Sequence, residues 1–328
     1  MTSYLISGAA GAIGYRVAET LLQNGAEVLG LDNLNDAYDV RMKEYRLRIL
    51  QGHQNFKFIK VDITDTEAIL GANSSIRNQS YEAIINLAAR AGVRSSVDHP
   101  RMFIETNVLG TNNLLELCRQ TNTRKFLFAS TSSIYGANPP YPTPETADSS
   151  QPLQPYSASK KGAEVLCHSY HYLYDLDISI LRYFTVYGPA GRPDLAHFRF
   201  TQWIIEGRPV RVNGNGEQSR GFTYVDDIVN GTIQALNPTG YEIINLGGHE
   251  VIRINDLIHL IEELTGKKAI VEYGPIHRAD MLTNWADVTK AGKLLGWKPQ
   301  VDMTEGVRRL VDWYKVEREW ASQIKTDH

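Results

Sequence analysis

Short apolar runs alternate with helical patterns through the first half of the chain, and this alternation constrains the fold more than any other feature. Ala83–Leu87, for example, is apolar almost throughout, which is typical of a strand covered on both faces of its sheet. The predicted strands are Tyr4–Ile6, Glu27–Leu31, Phe56–Val61, Ala83–Leu87, Lys125–Ala129 and Ile178–Tyr183, and the predicted helices are Ile13–Asn24, Pro100–Arg119 and Pro155–Tyr174. The alternation predicts an α/β fold with a doubly wound parallel sheet of the Rossmann type.

The second half of the chain has a different pattern. Proline and glycine cluster at Gly188–Pro193 and Gly207–Gly216, while Ile252–Leu264 and Met303–Trp320 predict amphipathic helices with little strand between them. At roughly 150 residues per domain, a chain of 328 residues predicts two domains. We expect residues 1–180 to form the parallel-sheet domain, completed by a segment near 222–250. Residues 181–328 then form a smaller α+β domain that binds the substrate over the carboxyl ends of the strands.

Composition excludes several classes of function. The formal net charge is −3, so the overall field gives no reason to expect nucleic acid or an anionic membrane as a partner. Two cysteines, Cys118 and Cys167, cannot form a disulfide framework or a four-cysteine zinc site, and we predict no metal. No apolar run reaches the 18 or so residues of a membrane span, and the start Met1–Tyr4 does not resemble a signal peptide. We therefore expect a cytoplasmic protein.

A glycine-rich loop separates the first predicted strand from the first predicted helix. Gly8, Gly11 and Gly14 have the spacing that lets a backbone turn tightly and approach a pyrophosphate at a helix N-terminus. Asp32 ends the second strand 18 residues later, where a carboxylate can accept both ribose hydroxyls of adenosine. Its charge would repel a 2′-phosphate, and Asn33–Asn35 supply no cation to receive one. The sequence therefore predicts NAD rather than NADP, with Asp62 as a candidate for adenine contact.

A second constellation combines a tyrosine, a lysine and a run of hydroxyl side chains. Tyr156 and Lys160 are four residues apart in a predicted helix, so they share one face, and the ammonium group can lower the pKa of the phenol. A phenolate so formed can take a proton from a carbinol whose hydride leaves for NAD. The run Ser130–Ser133 ends the fifth strand and can donate a hydrogen bond to a developing ketone oxygen.

Together these motifs resemble the extended short-chain dehydrogenase/reductases, the branch that epimerises, dehydrates or decarboxylates nucleotide sugars. Further motifs that carry the resemblance are Asn86–Ala89, Arg182–Phe184, Arg220–Asp227 and Trp285–Asp287. The resemblance implies Thr131 as the catalytic hydroxyl, Tyr156 as the base and Lys160 as the residue that orients ribose and lowers the phenol pKa. We expect NAD to contact Gly8, Gly11, Ala12, Ile13, Gly14, Asp32, Asn33, Asp62, Ile63, Leu87, Ala88, Ala89, Asn107, Ser130, Tyr156, Lys160 and Tyr183.

The positions after Thr131 help to choose the reaction. Dehydratases of this family carry an Asp-Glu pair there and decarboxylases a glutamate, whereas this chain has Ser132 and Ser133. The chain thus has groups for oxidation and reduction but lacks the extra acid, which favours a 4-epimerase. Thr185 with Arg192 resembles the UDP-glucuronate 4-epimerases, in which this pair holds the C6 carboxylate. A loop salt bridge is the alternative interpretation of Arg192.

Other arginines are candidates for the nucleotide, and several alternatives stay open. We expect the nucleotide sugar to contact Arg94, Thr131, Ser132, Ser133, Thr185, Arg192, Arg211, Arg220 and Arg278. The alternative functions are a 4-epimerase for UDP-glucose or UDP-N-acetylglucosamine, a UDP-glucuronate decarboxylase and a non-catalytic NAD sensor. The resemblance also implies a uridine nucleotide, although the residues do not exclude thymidine, and a homodimer packed through the Pro100–Arg119 and Pro155–Tyr174 helices.

Four positions depart from the family pattern. Ala12 replaces an aromatic residue in the glycine loop and Tyr15 replaces a serine; Ala190 stands where these epimerases often have tryptophan, and Gly221 where they have aspartate.

Overall fold

A parallel sheet of seven strands crosses the centre of the molecule, with helices on both of its faces. The computed structural model describes residues 2–275, 283 and 285–326. Within these residues the strands are β1 Ser3–Ser7, β2 Glu27–Asp32, β3 Phe56–Lys60, β4 Ala83–Asn86, β5 Lys125–Thr131, β6 Asp177–Tyr183, β7 Thr185–Tyr187, β8 Pro209–Asn213, β9 Ser219–Tyr224, β10 Tyr241–Leu246, β11 Glu250–Arg253 and β12 Ile270–Gly274.

The central sheet has the order β10-β6-β5-β4-β1-β2-β3, and every pair in it is parallel. Leu5 of β1 is opposite Leu29 of β2 on one side and Ile84 of β4 on the other. All three side chains are buried, as expected for strands covered on both faces. The strand order reverses at the boundary between β1 and β4, where doubly wound sheets bind ligands outside the carboxyl ends of their strands. The predicted fold class is confirmed.

The helices include two irregular segments, the π-helical turns Glu105–Leu109 and the 3₁₀ turn Ser132–Tyr135. The α-helices of the described residues are α1 Gly14–Gln23, α2 Arg41–Gln51, α3 Thr66–Leu70, α4 Val93–Asp98, α5 Pro100–Ile104, α6 Gly110–Thr121, α7 Pro155–Tyr174, α8 Ala196–Ile205, α9 Val225–Gln234, α10 Ile254–Thr265, α11 Thr289–Leu295, α12 Met303–Val316 and α13 Arg318–Ala321.

The stretch Pro100–Arg119, predicted to be helical, is helical throughout, with π-helical turns between α5 and α6. Asn107 lies in these turns and is fully buried. Its carboxamide accepts from the Arg90 amide at 2.9 Å and donates to the Ser159 hydroxyl at 2.9 Å. The widened turns therefore support a polar side chain that joins two neighbouring segments, a common use of π-helical turns.

The second half contains more strand than the sequence pattern predicted. Strands β11, β9 and β7 form a three-stranded sheet, and β12 pairs with β8. Each of these strands is only three to six residues long, too short for a clear alternation of apolar and polar residues in the sequence. Strand β10 returns to the central sheet beside β6, with Ile243 opposite Ile180. It falls inside the 222–250 segment expected to complete the first domain, and the boundary at residue 180 stays a prediction. None of the described helices is long and apolar enough to cross a membrane.

A histidine lies in the apolar interior of the second half. His197, at the start of α8, is 2% exposed, and neither ring nitrogen has a hydrogen-bond partner. Its ring stacks on Tyr187 with the centroids 4.2 Å apart, and it meets the edge of Phe222 at 4.3 Å. Burial lowers the pKa of His197 to about 3, because the interior offers the imidazolium no counter-charge. The imidazole is therefore packed as a neutral aromatic ring.

We predict that His197→Phe makes the protein less sensitive to acid. Below pH 6.5 the unfolded chain takes up a proton on His197 that the folded protein does not bind until about pH 3. The free energy of unfolding therefore falls by about 1.4 kcal/mol per pH unit on account of this group. Urea denaturation at pH 6.5, 5.5 and 4.5 should give the variant a slope shallower by that amount. Equal slopes for the variant and the parent would contradict the prediction.

Candidate active site

A cavity of about 750 Å³ opens at the carboxyl ends of the parallel strands, between the central sheet and the smaller sheets. Its volume is in the usual range for a site that encloses a small-molecule ligand. Of the predicted site residues that the structure describes, all line this cavity except Asn107 and Arg211. Arg278 lies outside the described residues.

The glycine loop is closed by backbone contacts that exclude side chains. The Gly8 amide donates to the Leu31 carbonyl at 2.7 Å, and the Gly11 amide donates to the Gly8 carbonyl at 2.9 Å. A Cβ on Gly14 would lie 2.1 Å from the Gly8 carbonyl oxygen, and one on Gly8 would lie 2.7 Å from the Ala88 amide nitrogen. Only glycine fits these contacts. They leave the first turn of α1 facing the cavity, which is the arrangement that suits a pyrophosphate.

Two aspartates stand at the adjoining end of the cavity. Asp32 accepts from the Ala10 amide at 3.1 Å and from the Leu34 amide at 2.8 Å. Asp62 accepts from the Asn33 side chain at 2.5 Å. Burial alone would raise the pKa of Asp62, but hydrogen bonds from Thr64 and Asn33 hold it below its ordinary value. Both carboxylates are thus oriented by neighbouring donors and can face a ligand as acceptors.

Sequence reasoning missed a cation at this end. Lys43 of α2 lines the cavity, and its Nζ donates to Asn35 Oδ1 at 3.0 Å. Burial lowers the pKa of Lys43 to about 8, even though Asp32 acts to raise it. Asn33–Asn35 supply no cation, as the sequence indicates, but Lys43 does. The preference for NAD therefore depends on Asp32 itself.

The hydroxyl run and the tyrosine-lysine pair meet at the centre of the cavity. Burial raises the pKa of Tyr156, while a hydrogen bond with Thr131 and the charge of Arg192 lower it. Lys160 Nζ donates to the Ala129 carbonyl at 2.8 Å, and burial lowers the pKa of Lys160 to about 7. Thr131 Oγ1 also donates to Ser133 Oγ at 3.2 Å. The cation that lowers the pKa of Tyr156 in this structure is thus Arg192, and an action of Lys160 on the phenol stays a prediction.

A buried ion pair supports this centre from below. Arg182 of β6 donates to Glu164 of α7 through two nitrogens, at 2.9 and 2.8 Å, and both side chains are 2% exposed. Ser130 also donates to Glu164, at 2.6 Å. Burial would raise the pKa of Glu164, but the Arg182 guanidinium keeps it low. The pair fixes β5, β6 and α7 to one another directly beneath the hydroxyl run.

The other end of the cavity carries the substrate candidates. Arg192 donates to Asp194 through Nε at 3.0 Å and through a terminal nitrogen at 2.5 Å. The loop salt bridge considered from the sequence is therefore present. Arg192 lies in the cavity all the same, close enough to Tyr156 for its charge to affect the phenol. Thr185, Arg94 and Arg220 line the same end.

Two of the expected site residues lie outside the cavity. Arg211 was expected to contact the nucleotide, but it lies on β8 between the buried Val210 and Val212 and so points outward. It pairs with Glu272 at 3.7 Å instead. Asn107 was expected near nicotinamide. It does not line the cavity. Its carboxamide forms hydrogen bonds with Arg90 and Ser159 instead.

Comparisons with known proteins agree with this geometry. The model of the family described as GDP-mannose 4,6 dehydratase matches residues 5–310. A UDP-glucuronate 4-epimerase of Thermodesulfobacterium geofontis is 51% identical over 327 residues, 99% of this chain and 100% of the relative.

Two solved structures are similar over nearly the whole chain. A UDP-glucuronic acid 4-epimerase from Bacillus cereus, in complex with UDP-glucuronic acid and NAD, is 35% identical with a TM-score of 0.88, and the match covers 96% of this chain and 100% of that one. A UDP-glucose 4-epimerase from Thermotoga maritima with UDP-glucose is 32% identical with a TM-score of 0.88, covering 97% and 100%.

We predict that Glu164→Gln lowers the free energy of unfolding by about 3–5 kcal/mol, because it leaves the buried Arg182 guanidinium without its counter-charge. The matched control is Asp312→Asn, which breaks the exposed pair with Arg308 on α12. It should cost about 1 kcal/mol or less. Urea denaturation of both variants checks the difference, and similar losses in the two would contradict it.

Proposed function

This chain belongs to the extended short-chain dehydrogenase/reductase family matched by the GDP-mannose 4,6 dehydratase model, and from that premise we propose that it is an NAD-dependent UDP-glucuronate 4-epimerase. The observation that carries the proposal is the position of Arg192. A guanidinium suited to a carboxylate lies in the same cavity as Tyr156, close enough for its charge to oppose the rise that burial causes in the pKa of the phenol.

The residues present fit NAD. The glycine loop is a tight turn in which a Cβ at Gly8 or Gly14 would collide with neighbouring backbone, and Asp32 stands at the end of β2 as an acceptor for the adenosine ribose. Bound NAD would supply reversible hydride transfer at C4 of the sugar. That chemistry leaves no net change in the cofactor, so we expect NAD to stay bound between turnovers.

The chain's own residues supply the proton chemistry. Tyr156 takes the proton from the 4-hydroxyl and returns it after the sugar presents its other face. Thr131, hydrogen-bonded to Tyr156, donates to the ketone oxygen that develops at C4. Lys160, fixed by the Ala129 carbonyl, orients the ribose beside the phenol.

The side chains after Thr131 favour epimerisation over elimination. Ser132 and Ser133 both line the cavity and carry no acid, whereas dehydration and decarboxylation in this family use acidic groups there. A 4-keto uronic acid is a β-keto acid that loses CO₂ readily. Arg192 and Thr185 would hold its carboxylate away from the geometry needed for cleavage.

The second candidate is a 4-epimerase of a neutral UDP-hexose. The Thermotoga maritima UDP-glucose 4-epimerase is as similar in TM-score as the Bacillus cereus enzyme, although it is less identical in sequence. Thr185 and Arg192 favour the acidic substrate, because a guanidinium matches a carboxylate in charge and in hydrogen-bonding geometry.

Incubation of purified protein with UDP-glucuronate, without added NAD, tests the proposal by proton NMR of the sugar. We expect signals of UDP-galacturonate to grow, and to be absent with Tyr156→Phe. Turnover of UDP-glucose but not of UDP-glucuronate would overturn the substrate and keep the mechanism. Inactivity on both substrates, even with NAD supplied, would contradict the enzyme and favour an NAD sensor.

We also propose a homodimer in the cytoplasm. Apolar side chains are exposed along the segment from α4 to the π-helical turns and along α7: Val97 56%, Ile104 50%, Leu109 55%, Val165 58%, Tyr172 78% and Leu173 63%. Such a patch supports an interface between copies of the chain. Both cysteines are buried and unpaired, which suits a reducing compartment.

Light scattering tests the dimer. We expect twice the 36.9 kDa mass of the chain for the parent, and the single mass for Val165→Arg, because a buried charge would break the interface. The control Val316→Arg changes an equally apolar residue, 81% exposed on α12, and should stay dimeric. A monomeric parent would contradict the proposal.

A further inference from the structure

Three consecutive carbonyl groups of the loop before Arg192 accept hydrogen bonds from side chains of the first half of the chain. Tyr15 of α1 donates to the Pro189 oxygen at 3.3 Å. Arg46 of α2 donates through Nε to the Ala190 oxygen at 2.9 Å and through a terminal nitrogen to the Gly191 oxygen at 2.9 Å. We call the backbone of residues 189–191 the clamped loop. Side chains of α1 and α2 therefore hold all three of its carbonyl groups.

Arg46 also contacts the glycine loop. Its other terminal nitrogen donates to the Ala10 oxygen at 3.1 Å and to the Tyr38 hydroxyl at 2.7 Å. Ala10 in turn donates its amide to Asp32. One guanidinium therefore joins the loop expected to hold the cofactor pyrophosphate to the loop that precedes the substrate-binding arginine.

Arg46 is a buried cation whose hydrogen-bond acceptors carry no charge. The side chain is fully buried, and the four oxygens that accept from it are all uncharged. The rings of Tyr15 and Tyr38 lie 5.9 and 5.4 Å from its Cζ. Burying a charge among neutral partners is costly, so Arg46 is a poor choice for stability alone. The burial of Arg46 is better explained by its hydrogen bonds, because only a guanidinium group can donate to all of these oxygens at once.

The clamped loop needs external support. Ala190 has a φ of +49°, a left-handed conformation that a residue with a side chain adopts at a cost. The Gly191 amide closes the turn by donating to the Gly188 oxygen at 3.1 Å. Arg192 follows directly, so its Cα is set by the peptide groups that Arg46 and Tyr15 hold.

We propose that Arg46 and Tyr15 are positioning residues for substrate choice: they hold the clamped loop so that Arg192 meets the carboxylate of the sugar. The proposal rests on the proposed function. Neither residue lines the cavity, so both act through Arg192. It also links two departures from the family pattern, since the tyrosine at position 15 contacts the loop in which alanine replaces tryptophan at 190.

Binding to the full-length protein gives the test without requiring turnover. Titration calorimetry measures the dissociation constants of UDP-glucuronate and UDP-glucose, and the readout is their ratio. Arg46→Lys keeps the charge but loses the fork, and Tyr15→Phe loses only the bond to Pro189. Matched controls are Arg48→Lys, an exposed residue of α2, and Tyr45→Phe, whose hydroxyl donates to Glu317 at 3.1 Å and not to the clamped loop.

We expect the parent to prefer UDP-glucuronate. In Arg46→Lys that preference should fall about tenfold and in Tyr15→Phe about threefold, with UDP-glucose affinity nearly constant and the controls unchanged. If both ligands weaken by the same factor, or if the preference persists in both variants, the clamp is structural only and the proposal is overturned. Tyr15→Phe gives the answer if Arg46→Lys does not fold. A parent without any preference for UDP-glucuronate would instead overturn the proposed function.

Discussion

The closeness of the backbone at Gly8 and Gly14 is the constraint on which the site depends. A Cβ at Gly14 would lie only 2.1 Å from the Gly8 carbonyl oxygen, so glycine there lets the first turn of α1 lie against the end of β1 and face the cavity. Asp32 at the end of β2 holds the same loop through the Ala10 amide. These local contacts shape the carboxyl edge of the parallel sheet so that it can bind a dinucleotide. The substrate-binding end of the cavity is positioned relative to them.

Buried polar groups connect that place to the reacting centre. Glu164 and Arg182 fix α7 against β5 and β6, so that Thr131, Tyr156 and Lys160 share one wall of the cavity. Arg46 performs the corresponding task between the glycine loop and the clamped loop. Both arginines are costly to bury, and each joins elements that are far apart in sequence. Buried charged side chains thus fix the orientation of these helices, strands and loops. Apolar packing alone would allow them to shift relative to one another.

The sequence predicted the first half well because its strands are apolar on both faces and its glycine spacing is short-range. Helix α7 was predicted residue for residue, since Pro155 marks its first turn. Lys43 and Arg46 were missed because α2 is polar in sequence, and their burial comes from Tyr38 and the loops packed over them. Arg211 was expected at the site from its residue type alone, whereas the strand register, which the sequence did not give, aligns it with Glu272 outside the cavity. Contacts between segments that are distant in sequence produce no local pattern from which they could be predicted.

The proposed mechanism inverts the configuration at C4 by removing and returning the same hydrogen as a hydride. UDP-glucuronate labelled with deuterium at C4, incubated with the protein in ordinary water, tests this most directly by mass spectrometry and NMR of the product. We expect UDP-galacturonate that retains the label at C4. Loss of the label to solvent would mean that a proton rather than a hydride leaves C4, and would contradict the mechanism.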